Sequence, residues 1–349
     1  MSERDSSKVV INEPINGRDY VVLTGDRPTG PLHLGHYVGS LAARVRFQKQ
    51  YTQYVLIADM QALTDNADNP GKVRENVFEV MLDYLAVGIS PEESTIYLQS
   101  AIPETAELTL YLLNLISVGR LSRNPTVKNE IKARGFGDEV PAGFWAYPVN
   151  QAADISQFRA TLIPVGPDQI PMIELTNDLV RNFNRIYHTD ALVECKALVP
   201  LAGLLPGTDG NSKMSKSLGN AIYLKDSSDI VAKKVKGMFT DPAHLKIEDP
   251  GKIDGNPVFA YLDAFDEDKK YLENMKVHYI AGGLADGIVK KRLIEVLEAF
   301  LTPIRVCREQ FAREKSEVMG LLKKGTERSR TRVIDTLLRV RNAIGILQL

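Results

Sequence analysis

Apolar residues fall along this chain in two rhythms. Tyr20-Val21-Val22-Leu23-Thr24, Tyr54-Val55-Leu56-Ile57-Ala58 and Thr95-Ile96-Tyr97-Leu98-Gln99 are short apolar runs and predict buried strands. Between them, Val73, Val77, Val80, Met81 and Tyr84 recur at helical spacing and predict a helix over Val73–Val87. Amphipathic helices are also expected over Leu34–Gln50 and Ala106–Val118. Strands that are apolar throughout and alternate with helices predict a parallel sheet covered on both faces. The pattern resumes with a strand at Ile163-Pro164-Val165-Gly166 and a helix over Asp168–Phe183. Arg120–Pro148, richer in Gly, Pro and charge, reads as an insertion, and Pro200–Ser212 as a loop. After Asp226 the pattern is mostly helical, ending in a segment with Val333, Leu337, Val340 and Ile344 on one face. The expected fold is α/β: a peripheral arm over 1–17, a Rossmann-like parallel-sheet catalytic domain over 18–222, and a mostly α-helical C-terminal domain over 223–349.

Composition adds limits. Apolar residues at 44% and charged residues at 25% of 349 are ordinary for a globular protein with one large and one small domain. Cys195 and Cys307 alone give neither a disulfide framework nor a cysteine zinc site. The polar start, Met1–Lys8, lacks the apolar core of a signal peptide, and no run approaches the ~20 apolar residues of a membrane span. A cytoplasmic location is expected. Charge is uneven: residues 287–349 hold 14 lysines and arginines against 7 acids, a balance of +7 that leaves −8 on the rest of a chain of net −1. A polyanionic partner fits that balance, although charge alone favours solvated helix faces.

Two short segments carry the chemistry. Pro28-Thr29-Gly30-Pro31-Leu32-His33-Leu34-Gly35-His36 follows the first strand at the end where such sheets bind ligands. The start of the next helix directs free N–H groups and a positive dipole end toward that site. His33 and His36 share one face there, and imidazoles donate well to phosphate oxygens gaining charge. Gly35 leaves room for a flat base against the backbone. The second segment, Lys213-Met214-Ser215-Lys216-Ser217, lies in a loop with two lysines, flexible point charges able to follow a leaving pyrophosphate. The first segment alone says only nucleotidyl transfer. No metal-spaced cluster of carboxylates or histidines is evident.

The two segments in this order resemble the paired signatures of class I aminoacyl-tRNA synthetases. The stretches Thr24–Leu41, Tyr84–Pro103, Tyr147–Asp154 and Val165–Asn184 narrow the resemblance to the tryptophanyl-tRNA synthetases, over roughly residues 20–265 and more weakly beyond. The resemblance implies that ATP and L-tryptophan form tryptophanyl-adenylate and pyrophosphate, and that tRNA(Trp) is then acylated. It implies that Mg2+ is held mainly by the ATP phosphates. Lys213, Lys216, His33 and His36 are the expected catalytic groups. Arg27, Thr29, Gly35, Asp168, Met214, Ser215 and Ser217 join His36 and both lysines in binding ATP. Asp154 matches the carboxylate that accepts the indole N–H, and Tyr147, Gln151, Gln169 and Gly25 complete the amino-acid site. Asp168 is expected to face the ribose or the amino acid. A homodimer with its interface in 120–148 is implied, as are tRNA-phosphate contacts from Arg328, Arg330, Arg332, Arg339 and Arg341.

The sequence departs from many members of the family at two places near the expected site. Gln61 stands near where many members have a histidine close to the indole. Arg27 replaces a glutamine and is expected beside the ATP phosphates or paired with Asp26. Trp145 reads as packing. Two other readings remain open. Tyrosyl-tRNA synthetases share both signatures and also use an aspartate in the side-chain pocket. A synthetase-like binding protein would have lost the reaction, which the intact histidines and lysines argue against.

Overall fold

The computed structural model of this protein describes residues 8–9, 20–137, 139–199, 205–210, 214 and 218–347. Its centre is a parallel sheet of six strands: β1 (Lys8–Val9), β2 (Val21–Asp26), β3 (Thr52–Ile57), β4 (Ser94–Leu98), β5 (Leu162–Pro164) and β6 (Lys196–Leu198). They lie in the order β1-β6-β5-β2-β3-β4. Strands β2 to β4 follow the apolar runs within two residues, and pair in register from Val21↔Thr52 and Gln53↔Ser94. The two described residues of the arm pair with Ala197 and Leu198, so this part of the arm is an edge strand rather than a loose extension. Strand β5 overlaps the strand expected at 163–166, shifted by one to two residues, while β6, of three residues, is too short for its pattern to stand out.

Seven helices matter for the site: α1 (Pro70–Ala86), α2 (Glu104–Leu113), α3 (Pro125–Arg134), α4 (Ala142–Gln157), α5 (Ile170–Ile186), α6 (Asp286–Arg313) and α7 (Lys315–Ile344). Asn69 caps α1 by accepting from Lys72 N–H, with Pro70 at its first position, where a missing N–H costs nothing. The apolar stripe Val73, Val77, Val80, Met81 and Tyr84 is buried as its spacing requires. The expected helix over Leu34–Gln50 is interrupted by a π-helical turn at Tyr37–Leu41 and ends at Phe47. Segment 120–148, read as an insertion from its composition, is largely helical, holding α3 and the start of α4. Pro148 sits inside α4 without ending it.

A single apolar cluster runs from Leu34, Val55 and Val80 through Met214, Ile222 and Phe259 to Leu293 and Leu297. The helical region therefore shares its core with one face of the sheet. Asp83 on α1, fully buried, accepts from Leu32 N–H at 2.7 Å and from Arg308 Nε of α6 at 2.8 Å. One carboxylate thus ties α6 to the backbone just before His33.

Helix α7 then turns back onto the sheet. Val333, Leu337 and Val340 are buried against it and against the helices on its other face. At the edge strand β4, Leu98 N–H donates to Thr326 Oγ1 at 3.1 Å. Gly325 allows the approach, since a Cβ there would lie 2.0 Å from Ile96 O. An exposed edge is thereby covered. Arg330 pairs with Glu104 at 2.8 Å and Arg341 with Glu107 at 2.5 Å, so these two arginines hold α7 on α2. They are engaged within the chain rather than presented as the free phosphate contacts expected.

Candidate active site

The chain builds β2, β3 and β4 in one direction, then crosses to β5 on the other side of β2. Such a reversal leaves a crevice at the carboxyl ends of the strands. Here it is a cleft of about 970 Å³, lined by Gly25, Arg27, Thr29, His33, His36, Tyr147, Gln151, Asp154, Gln169 and Met214 among others. Ten of the expected site residues therefore converge. Gly35 and Asp168 are not on the cleft wall. Lys213, Ser215, Lys216 and Ser217 lie outside the described residues.

At the end of the cleft that holds the first signature, the chain following the second signature is tied to the first by backbone. Leu34 N–H donates to Ile222 O at 2.9 Å, and Leu224 N–H to Leu32 O at 3.0 Å, so the segment after the second signature pairs with the first. The rings of His33 and His36 lie 3.8 Å apart, and His36 Nδ1 accepts from His33 N–H at 3.2 Å. A Cβ on Gly35 would meet the His33 ring at 3.0 Å and the Met214 sulfur at 3.4 Å. The space beside Gly35 is thus filled by these two side chains, not left for a base, and glycine serves their close packing. Asp26, at the end of β2, is held by buried Arg44 at 2.5 Å and by the Tyr84 hydroxyl at 2.8 Å. Burial pushes its pKa up, but Arg44 with smaller help from His36 and Tyr84 holds it well below the carboxylate range. With Asp26 engaged, Arg27 lies instead 3.7 Å from Asp65, which also pairs with Arg134 of α3. Two cations thus share one carboxylate at the cleft, and Glu130 adds a second carboxylate to the same wall.

The other end is different in kind. Asp154 is in the interior of α4, not at a cap, and is 1% exposed. It accepts from Gln99 Nε2 at 2.6 Å, and more distantly from Gln157 Nε2 at 3.4 Å. Burial drives its pKa up to about 8, with the Gln99 bond opposing and Asp59 adding to the rise. Among the described residues no cation pairs with it. Tyr147, on the same helix, keeps its hydroxyl protonated through burial and the nearby Glu130 carboxylate. Gln151 and Gln169 are half-buried on the walls. Ile155, Ile163 and Val165 give this end its apolar surface. Asp168 is exposed on the rim, with its carboxylate beside its neighbour's amide, Gln169 Nε2, at 3.3 Å. Trp145 packs among apolar neighbours away from the cleft wall, as expected.

Arg44, Asp65, Gln99, Glu130 and Arg134 are parts of this site that the sequence reading did not select. Only Arg44 left a trace, as a charge within the amphipathic helix expected over Leu34–Gln50.

The chain matches the family model for class I tRNA synthetases (W and Y) over residues 16–302. It is 56% identical over 330 residues to the tryptophan–tRNA ligase of Clostridium longisporum, across 93% of this chain and 97% of that one. This chain belongs to the tryptophanyl-tRNA synthetase family. A second member, the tryptophan–tRNA ligase of Streptococcus pyogenes serotype M3, is 55% identical over 333 residues, covering 93% of this chain and 98% of its own. Among solved structures, the tryptophanyl-tRNA synthetase of Campylobacter jejuni complexed with ADP and tryptophan superposes with a TM-score of 0.83. It is 28% identical and covers 93% of this chain and all of its own. In this tryptophanyl-tRNA synthetase family member the first signature, Met214 and the buried carboxylate open on one cleft.

Proposed function

We infer that this protein activates L-tryptophan with ATP and transfers it to tRNA(Trp). The observation that carries the substrate is Asp154: a buried carboxylate without a cation, bordered by apolar side chains and opening on the nucleotide signatures. Indole offers one N–H donor and no acceptor, so a buried acceptor is the group that selects it. A side chain lacking that donor leaves the carboxylate unpaired and is rejected strongly.

The tryptophan carboxylate attacks the α-phosphorus of ATP, the bond to the bridging oxygen breaks, and pyrophosphate leaves with the electron pair. A ribose hydroxyl of the tRNA then attacks the adenylate's carbonyl carbon and AMP departs. Catalysis consists of positioning and charge stabilisation. His33 and His36 donate toward the phosphates, and Arg27 with Arg134 supplies fixed positive charge. Lys213 and Lys216 follow the leaving pyrophosphate. Tyr147, Gln151 and Gln169 hold the ammonium end.

The described residues contain no cluster of metal-ligating side chains, and the cleft carboxylate Asp65 is already shared by two arginines. Mg2+ therefore enters as the counter-ion of ATP. Arg328 and Arg332 remain for tRNA phosphates on α7, beside Arg339, which pairs with Asp335 one turn away at 3.2 Å. The protein acts as a homodimer through segment 120–148, beside which Leu110 and Val118 are exposed. Among the described residues no helix is long and apolar enough to cross a membrane, and we place the enzyme in the cytoplasm.

Amino-acid-dependent exchange of labelled pyrophosphate into ATP, run in parallel with tryptophan and tyrosine, tests this reading. Exchange with tryptophan alone is expected. Exchange with tyrosine alone overturns the pocket assignment, and exchange with neither overturns the reaction.

A further inference from the structure

The amides around Asp154 have no freedom to turn. Gln99 lies just past β4 and is fully buried. Its Oε1 accepts from the backbone N–H of Gln61 at 3.0 Å. With the oxygen so fixed, both hydrogens on Nε2 point the opposite way, to Asp154 Oδ2 at 2.6 Å and Asn150 Oδ1 at 3.1 Å. Asn150 is oriented in turn, since its Nδ2 donates to Thr109 Oγ1 at 3.0 Å and that hydroxyl donates to Thr105 O at 2.7 Å. Gln157 is aimed by the same helix: the Thr105 hydroxyl donates to its Oε1 at 2.7 Å, which leaves its Nε2 facing Asp154.

An isolated buried carboxyl group takes up a proton, and a protonated one can present a donor to a ligand as readily as an acceptor. The arrangement here opposes that ambiguity. Every amide that meets Asp154 meets it with N–H, and the backbone of the turn after β3 enforces the orientation. The other ionisable groups facing Asp154 are Asp59, from that turn, and the Tyr97 hydroxyl on β4. Neither is a cation, so among the described residues amide donors are what opposes the proton that burial favours.

We propose that Gln99 is a positioning residue for amino-acid selection, which holds the Asp154 carboxylate as an acceptor aimed at a ring N–H in the cleft. The proposal rests on the tryptophan reading and extends it to a residue that need not touch the substrate. It also gives Gln61 a role through its backbone, independent of its side chain.

The test compares L-tryptophan with β-(3-benzothienyl)alanine, in which sulfur replaces the indole N–H and shape is nearly kept. Pyrophosphate exchange is measured for both with the full-length wild type and Gln99→Leu. A residue that merely supports the fold lowers kcat/KM for both compounds together. A residue that fixes the acceptor lowers it for tryptophan alone, so the wild type's preference shrinks by about tenfold or more while KM for ATP is unchanged. An unchanged preference overturns the proposal. Should Gln99→Leu fail to fold, Gln99→Glu keeps the size and places a second carboxyl beside Asp154. Preference for tryptophan then falls as pH rises from 6 to 8, and a preference flat with pH overturns the proposal. A wild type without tryptophan-dependent exchange overturns the substrate reading itself, and is distinguished because no variant is involved.

Discussion

Two carboxylates lie on the same cleft, Asp26 nearly and Asp154 fully buried, and are pushed in opposite directions. Asp26, at the nucleotide end, faces the guanidinium of Arg44 and is kept ionised far below the usual carboxylate range. Asp154, at the side-chain end, accepts from amides, has no cation partner among the described residues, and is pushed up to about 8. Burial is common to both, so the partner decides the difference: a full charge overcomes the desolvation of an anion and an amide N–H offsets only part of it. The nucleotide end thus has a permanent charge pair that fixes the strand end. The amino-acid end has a conditional charge, open to completion by the donor that a substrate brings.

The sharpest way to break this comparison is at Asp154. Asp154→Ala is expected to lower tryptophan-dependent kcat/KM by about 10³-fold or more, with ATP binding measured alone unchanged. A parallel loss of ATP affinity means that the two ends are one unit. At the nucleotide end, Lys216→Ala is expected to slow single-turnover adenylate formation by roughly 10²- to 10³-fold. Tryptophan affinity measured by calorimetry stays the same, and an unaltered single-turnover rate removes Lys216 from that role.

Stability separates the ends in another way. Arg44→Met leaves the nearly buried Asp26 without its partner, and urea denaturation is expected to show a loss of about 3 kcal/mol. For Asp154 the sign is reversed. Its folded pKa of about 8 lies above the ordinary 3.8, so between these values the folded state holds a proton that the unfolded state has lost. Stability from this group therefore declines as pH rises from 4 toward 8 and levels off above. Asp154→Asn is expected to remove this decline, on the order of 2 kcal/mol between pH 6 and 8. Asp26, with its depressed pKa, contributes stability that is present above about pH 4 and lost on acidification below it. The smallest effect is expected at Arg330→Ala, where an exposed pair with Glu104 is screened by solvent. Thermal unfolding is expected to move little, and a large drop would make that pair a main attachment of α7.

Much of this arrangement was legible beforehand, for identifiable reasons. Strands β2 to β4 announce themselves because they are covered on both faces and hence apolar throughout. Asp154, Tyr147 and the histidines stand in segments whose order of residues resembles a known pattern. The remainder depends on contacts that spacing does not carry. Nothing in the local sequence tells that Gln99 meets a residue 55 positions on, or that Arg44 turns inward to Asp26 instead of outward to water. Helix α4 was hidden by Pro148 and by Gly143 near its start, both poor helix formers overridden by packing. Arg330 and Arg341 looked like tRNA contacts because charge reads the same whether its partner is a phosphate or a glutamate of the same chain.

The seating of Thr326 against β4 also sets a schedule for synthesis. The residue that receives the Leu98 N–H is made 228 residues after it. At about 5–20 residues per second, that edge waits roughly 10 to 50 s on the translating ribosome without its own cover. During this interval the growing sheet offers an open strand to any neighbouring chain, including another nascent copy on the same message. Whatever occupies the edge in the meantime must leave before α7 can dock.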